Sequence, residues 1–114
     1  MKFTYSLKKN NDFKTVYRKG RSFANKLLII YVLGNDLDKN FLGISVSKKV
    51  GNSVVRHHIK RLLKESYRLH EDMLNSGFNI VVIARPAAKD ADFHEMEKAI
   101  IHLLKLHKIL KEKQ

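Results

Sequence analysis

Six histidines and eleven carboxylates are the side chains of this 114-residue chain with the chemistry to hold a metal or move a proton, and their spacing favours neither task. His57 and His58 are adjacent, and neighbouring side chains on a helix diverge by about 100°, poor geometry for one metal. His94 and His102 share a helical face two turns apart, and His102 and His107 are five residues apart, with no carboxylate completing either set. The acids form no paired-carboxylate motif, and most fall in loops or in the stretch 69–97. With no cysteine there is no thiolate nucleophile, no Cys-ligated zinc and no disulfide framework. Gly51 stands alone in its loop, so no glycine-rich phosphate cradle is present. These patterns argue against protein-borne catalysis.

The spacing that does carry chemistry belongs to the bases. Arg56, Lys60, Lys64 and Arg68 recur every four residues, with His57 and Arg61 beside them. Like charges four apart destabilise an isolated helix by roughly 0.2–0.5 kcal/mol per pair. A polyanion laid along that face relieves the repulsion, whereas solvent alone does not. Phe13 and Tyr17, with Val16, form a narrow stripe at i, i+3, i+4, suited either to packing a short helix or to stacking on nucleobases; burial of aromatics alone favours packing.

Over the whole chain, 23 Lys and Arg against 11 Asp and Glu leave a formal charge of +12. That exceeds what solubility asks of a small domain. The charge is also patterned, with +5 on residues 1–20, +6 on 48–68, −4 on 69–97 and +4 on 98–114. Two basic blocks separated by an acidic stretch imply a binding face for a polyanion. At 44% apolar and one Pro the chain is too hydrophobic for a disordered basic tail, and its length suits one domain, 1–114. The longest apolar run, Leu27 to Leu33, is a third of a membrane span, and the opening Met1-Lys2-Phe3-Thr4-Tyr5 lacks the apolar stretch of a signal peptide. No basic segment carries the bulky aromatic face of an interfacial helix. The expectation is a cytoplasmic domain with no membrane partner.

The elements that must position these residues follow from periodicity. Asn11 or Asp12 is expected to cap a helix running to about Lys19, closed by Gly20. Residues 22–33 read as strand, with Leu28, Ile30 and Val32 on one face and Leu27, Ile29, Tyr31 and Leu33 on the other. After a turn at Gly34-Asn35-Asp36, residues 41–47 alternate: Leu42, Ile44 and Val46 point to a core, and Gly43, Ser45 and Ser47 leave a small polar face. Asn52 or Ser53 caps a long helix to about His70, buried along Val55, Ile59, Leu62, Leu63, Ser66 and Tyr67. Residues 78–84 form a buried strand stopped by Arg85-Pro86. Asp92 and Glu95 make a capping box for a last helix that carries Met96, Ala99, Ile100, Leu103, Leu104 and His107 on one face. The expected class is α+β, a small mixed sheet of about four strands with three helices in the order αβββαβα. A DNA-binding regulator would need a recognition helix after a tight helical turn, and Gly51 instead follows a strand.

Residues 43–65, Gly-Ile-Ser-Val-Ser-Lys-Lys-Val-Gly-Asn-Ser-Val-Val-Arg-His-His-Ile-Lys-Arg-Leu-Leu-Lys-Glu, closely resemble the signature of the bacterial ribonuclease P protein subunit. Leu7-Lys8-Lys9, Asp12-Phe13, Val16-Tyr17 and Lys19-Gly20-Arg21 resemble that family's opening segment, and the likeness covers nearly the whole chain. The resemblance implies an α/β sandwich with a left-handed βαβ crossover at the basic helix, against the usual right-handed rule. It also implies a non-catalytic protein subunit of an endoribonuclease. The RNA subunit would hold the active site and its Mg2+, with none held by protein side chains, and would remove the 5′ leader of precursor tRNA.

By matching position, the resemblance assigns Arg56, His57, His58, Lys60, Arg61 and Lys64, with Lys48, Lys49 and Asn52 in the preceding loop, to the catalytic RNA. It assigns Phe13, Tyr17, Tyr31 and Ser45 to the cleft for single-stranded leader, with Gly43, Ser45 and Ser47 as its floor. One departure stands out: the family motif typically reads Arg-Asn-Arg, and here it reads Arg56-His57-His58. Arginine offers phosphate a permanent planar fork, whereas histidine titrates near neutrality. The competing reading is a small basic RNA-binding protein of ribosomal type with no part in tRNA processing.

Overall fold

Asn25 divides the strand segment of the second quarter in two. Its side-chain oxygen accepts from the amides of Leu27 and Leu28 (3.2 and 2.9 Å), and this turn reverses the chain. The result is a hairpin of β2 (Arg21–Ala24) and β3 (Leu28–Gly34) within the segment 22–33 that reads as strand. The computed structural model describes residues 1–112. The remaining elements are β1 (Thr4–Ser6), α1 (Asn10–Lys19), β4 (Asn40–Ser45), α2 (Ser53–His70), β5 (Phe78–Ala84) and α3 (Phe93–Leu106).

The sheet has five strands in the order β1-β4-β5-β3-β2. β1 and β5 both run parallel to β4, while β3 is antiparallel to β5 and to β2. The class is the expected α+β arrangement of three helices on a mixed sheet, with one strand more than about four. The addition to the expected order is β1, three residues too short to show a period. It exists because β4 offers it a parallel edge and because Glu71, Tyr67 and Asn40 hold it there. Glu71 accepts from the Lys2 amide at 2.6 Å, Thr4 and Tyr67 share a hydroxyl hydrogen bond at 2.9 Å, and the Asn40 amide donates to Phe3 at 2.9 Å.

Two cores lie on the two faces of this sheet. On one face Leu28, Ile30, Val32, Leu42, Ile80 and Val82 pack against the inward stripes of α2 (Ile59, Leu63, Tyr67) and α3 (Met96, Ile100, Leu103, Leu104). On the other, Leu7, Val16 and Val81 are buried with Phe13, Tyr31, Leu33, Phe41 and Ile83 around them, and this smaller core seats α1. The alternating faces of β3 and β4 feed these two layers as their period-2 pattern requires.

The expected caps hold for two helices. Asn52 accepts from the Val55 amide (3.0 Å), and Asp92 and Glu95 make both hydrogen bonds of a capping box (2.8 and 3.2 Å). α1 differs: it starts one residue before Asn11, and Lys9 at its N-cap provides no side-chain hydrogen bond. Gly20 does end α1, but with ordinary extended backbone (φ −77°, ψ 161°) rather than a left-handed turn. Its reason for being glycine is closeness, since a Cβ there would lie 2.6 Å from the Val16 carbonyl oxygen. No helix among the described residues is long and apolar enough to cross a membrane.

Candidate nucleic-acid interface

The basic loop and α2 form one continuous surface. Val50 is buried and pins the loop, leaving Lys48 and Lys49 exposed within the strand-to-helix turn. Burial of Ile59, Leu63, Ser66 and Tyr67 then fixes the rotation of α2, and this turns His57, His58, Lys60, Arg61, Lys64 and Arg68 outward. Two members of the outward set differ from the rest. Arg68 is held by Glu65 through two hydrogen bonds (2.6 and 3.0 Å), and this pairing keeps the Glu65 carboxyl below its usual range. Arg56 is half-buried; its Nε is sealed from solvent without a partner among the described residues, and its guanidinium makes no other hydrogen bond there. The Asn52 side-chain oxygen, expected to face RNA, is already engaged as the cap of α2.

The aromatic set assembles on the opposite sheet face. Tyr17 stands edge-on to Tyr31 with ring centroids 5.1 Å apart, and Phe13 lies 6.3 Å from Tyr17, so the three rings form a row. Tyr17 is 39% exposed, and Phe13 and Tyr31 are half-buried. Partial burial pushes the Tyr17 phenol above its ordinary value, opposed by a hydrogen bond with Ser45 and reinforced by the neighbouring Tyr31. Phe13, Tyr17, Tyr31 and Ser45 are therefore one cluster, with part of each ring open to solvent.

The small face of β4 is not the open floor expected for a groove. Gly43 is buried beneath the Phe13 ring, and a Cβ at that position would sit 2.5 Å from its tip. Glycine is there so that the ring can lie flat on the backbone. Ser45 remains half-exposed, and Ser47 lies beyond the end of the strand.

A groove of about 520 Å³ joins the two surfaces, lined among others by Phe13 and Gly43 on one side and His57, Lys60, Arg61 and Lys64 on the other. No three His, Asp or Glu side chains converge on a metal position among the described residues. The arrangement can hold phosphates on α2 and stack bases on α1.

The protein-family description that matches residues 1–108 is Ribonuclease P. A ribonuclease P protein component from Alkaliphilus metalliredigens (strain QYMF) is 54% identical over 110 residues, covering 96% of this chain and 99% of the relative. Another, from Lachnoclostridium phytofermentans, is 56% identical over 105 residues, covering 92% and 90%. The solved RNase P protein of Staphylococcus aureus superposes with a TM-score of 0.87 at 41% identity, over 94% of this chain and 98% of that one. That of Thermotoga maritima gives 0.82 at 29% identity, over 90% and 96%.

This chain belongs to the ribonuclease P protein family.

Its function is that of the protein subunit of ribonuclease P, an endoribonuclease, with an RNA partner and an RNA substrate. Nothing in these likenesses favours a ribosomal-type protein. Seen as a ribonuclease P protein, the chain carries two features that spacing did not single out. Tyr5, 54% exposed on β1, pairs with Phe41 (5.9 Å), and the Lys39 ammonium sits over both rings at 5.2 and 5.7 Å. Glu71 is a buried carboxylate inside the acidic stretch 69–97. The exposed aromatic Tyr5 beside a basic segment was a usable signal for the first; nothing local marks the second.

Proposed function

We propose that the outward face of α2 and its loop bind the catalytic RNA of ribonuclease P, while the aromatic row of α1 and β3 holds the single-stranded 5′ leader of precursor tRNA. The observation that carries this reading is the segregation of the two chemistries. Lys60, Arg61 and Lys64, without an ion-pair partner among the described residues, project from α2, and partly open rings with a hydroxyl sit across the sheet. Phosphate neutralisation on α2 supplies sequence-independent affinity. Ring stacking accepts any base, which suits leaders of varied sequence. Lys48, Lys49, Arg56, Lys60, Arg61 and Lys64 carry the phosphate contacts; His57 and His58 add donors where the family has Asn and Arg. Mg2+ belongs with the RNA, where it would supply charge neutralisation at the scissile phosphate. The protein raises substrate affinity, and with it efficiency at low magnesium. As a single RNA-binding domain, 1–114, it would work in the cytoplasm.

Reconstitution with the cognate RNA subunit tests this directly. Cleavage of precursor tRNA at low magnesium should rise at least tenfold on adding the protein. Absence of stimulation would favour a basic RNA-binding protein of another kind.

A further inference from the structure

β4 is only partly covered along its outer edge. The Asn40 amide donates to Phe3 and the Leu7 amide donates to Leu42, both at 2.9 Å, so Asn40 and Leu42 turn their peptide groups toward β1. Alternation along a strand of a parallel ladder then turns Ile44 the same way as Asn40 and Leu42, and Phe41, Gly43 and Ser45 toward β5. The β1 register ends at Ser6 opposite Leu42, and the chain then leaves for α1. The N–H and C=O of Ile44 therefore face a notch, and no described residue bonds to either. This notch is the middle of the groove described above. Tyr5 and Phe13 stand on the α1 side of it, and Lys60, Arg61 and Lys64 form its far wall.

A neighbouring donor and acceptor on one residue match the Watson–Crick edge of a nucleobase, where every base presents a donor next to an acceptor. That edge is free only when the base is unpaired. Flanking rings offer a stacking surface, and the three cations lie where the attached phosphates would run. A peptide strand would also add to an open edge. Here the open edge is one residue long, too short to hold a strand, and its wall is cationic. Because Lys60, Arg61 and Lys64 are the α2 face read as RNA-binding, the occupant must belong to the RNA lying on α2.

We propose that this notch seats a single unpaired nucleotide of the catalytic RNA, its base edge on the Ile44 backbone, its face against Tyr5 and its phosphates on Lys60, Arg61 and Lys64. The inference rests on the reading of α2 as the surface for the RNA subunit. It adds Tyr5 and the Ile44 peptide to the binding machinery and makes the contact selective for an extruded base.

The chain contains no cysteine, so Tyr5→Cys gives one attachment point for a photo-crosslinker in the reconstituted holoenzyme. The expected product is a crosslink to one or two adjacent unpaired residues of the RNA subunit. Crosslinks to the precursor leader, or spread along paired RNA, would overturn the assignment. In the unsubstituted protein, the Ile44 amide resonance should shift on adding a 5′-phosphorylated single-stranded pentanucleotide, and should not move with pyrophosphate or a duplex of the same sequence. A shift with an acidic extended peptide and none with the pentanucleotide would instead mean strand addition, and the proposal would fall. Tyr5→Ala should weaken RNA-subunit binding about fivefold, the lower end of what a stacked base contributes, while the slope of affinity against salt stays unchanged. If cleavage stimulation is intact but the Ile44 amide stays silent, the nucleotide seat alone is rejected. If stimulation is absent, the reading beneath it fails as well.

Discussion

Lys60 and Arg68 lie on the same outward row of α2, two turns apart, but only one of them has its charge free for RNA. Lys60 has no ion-pair partner among the described residues, whereas Arg68 is tied to Glu65 in a two-point contact. A neutral pair attracts few phosphates whether it stays closed or opens. Lys60→Ala is therefore expected to weaken RNA-subunit binding and to lower its salt slope by about one. The double substitution Glu65→Ala with Arg68→Ala should leave both unchanged, and titrations at several salt concentrations distinguish the two. Tyr17→Ala, which removes the middle ring of the row, should weaken leader-bearing precursor by about tenfold and spare mature tRNA. Equal losses for both ligands would count against the leader assignment. The four-residue period marks all of Arg56, Lys60, Lys64 and Arg68 alike. Which of them is already spoken for depends on rotamers, and no spacing rule reaches those.

β4 shows how an element can position a site through an absent side chain. Gly43 lets the Phe13 ring lie on the strand, and the obstacle to a larger residue is the far end of that ring. Gly43→Ala should therefore fold, tilting Phe13 outward, and should weaken leader binding about as much as Phe13→Ala while thermal stability falls only modestly. A competition assay with precursor and mature tRNA, alongside a melting curve, reads both. The strands and helices that sequence made legible are those with several turns or alternations to show: α2, α3, β4 and β5 lie close to where their periods placed them. β1 has three residues and no period, and its existence depends on partners about 35 and 65 residues away, Asn40, Tyr67 and Glu71. The cap of α1 differs from the expected one for a related reason. Asn11 and Asp12 are good capping residues, but the chain leaving β1 brings Lys9 to that position instead. Local preference ranks candidates, and the path of the chain between tertiary anchors decides among them.

Two titratable anchors tie distant parts of the molecule together, and both make the fold acid-sensitive. Burial alone would raise the Glu71 carboxyl, but hydrogen bonds from the Thr4 hydroxyl and the Lys2 and Phe3 amides outweigh it and hold the group below the usual carboxylate range. His107 sits on the other side of the protein, its ring nitrogen 2.7 Å from the Ile30 carbonyl and its ring perpendicular to that of Phe23 at 4.8 Å. Burial pushes its imidazole below the ordinary value, against the raising effect of the Ile30 carbonyl, with Arg21 adding to the depression. The sign is the same for both. A folded-state pKa below the unfolded one means that the unfolded chain takes up the proton first, so stability present at higher pH is lost as pH falls. His107 acts first, from about pH 6.5 downward, and Glu71 follows through the carboxylate range. Urea unfolding at fixed ionic strength should show stability declining in these two stages. His107→Gln, which keeps a donor for Ile30, should flatten the upper stage alone. Glu71→Gln should flatten the lower one and, by loosening β1 from β4, should also weaken RNA-subunit binding at pH 7. A Glu71→Gln protein that loses its lower stage but binds RNA normally would show that β1 is held independently of this carboxylate. The edge of the groove would then need another anchor, with Tyr67 and Asn40 the remaining candidates.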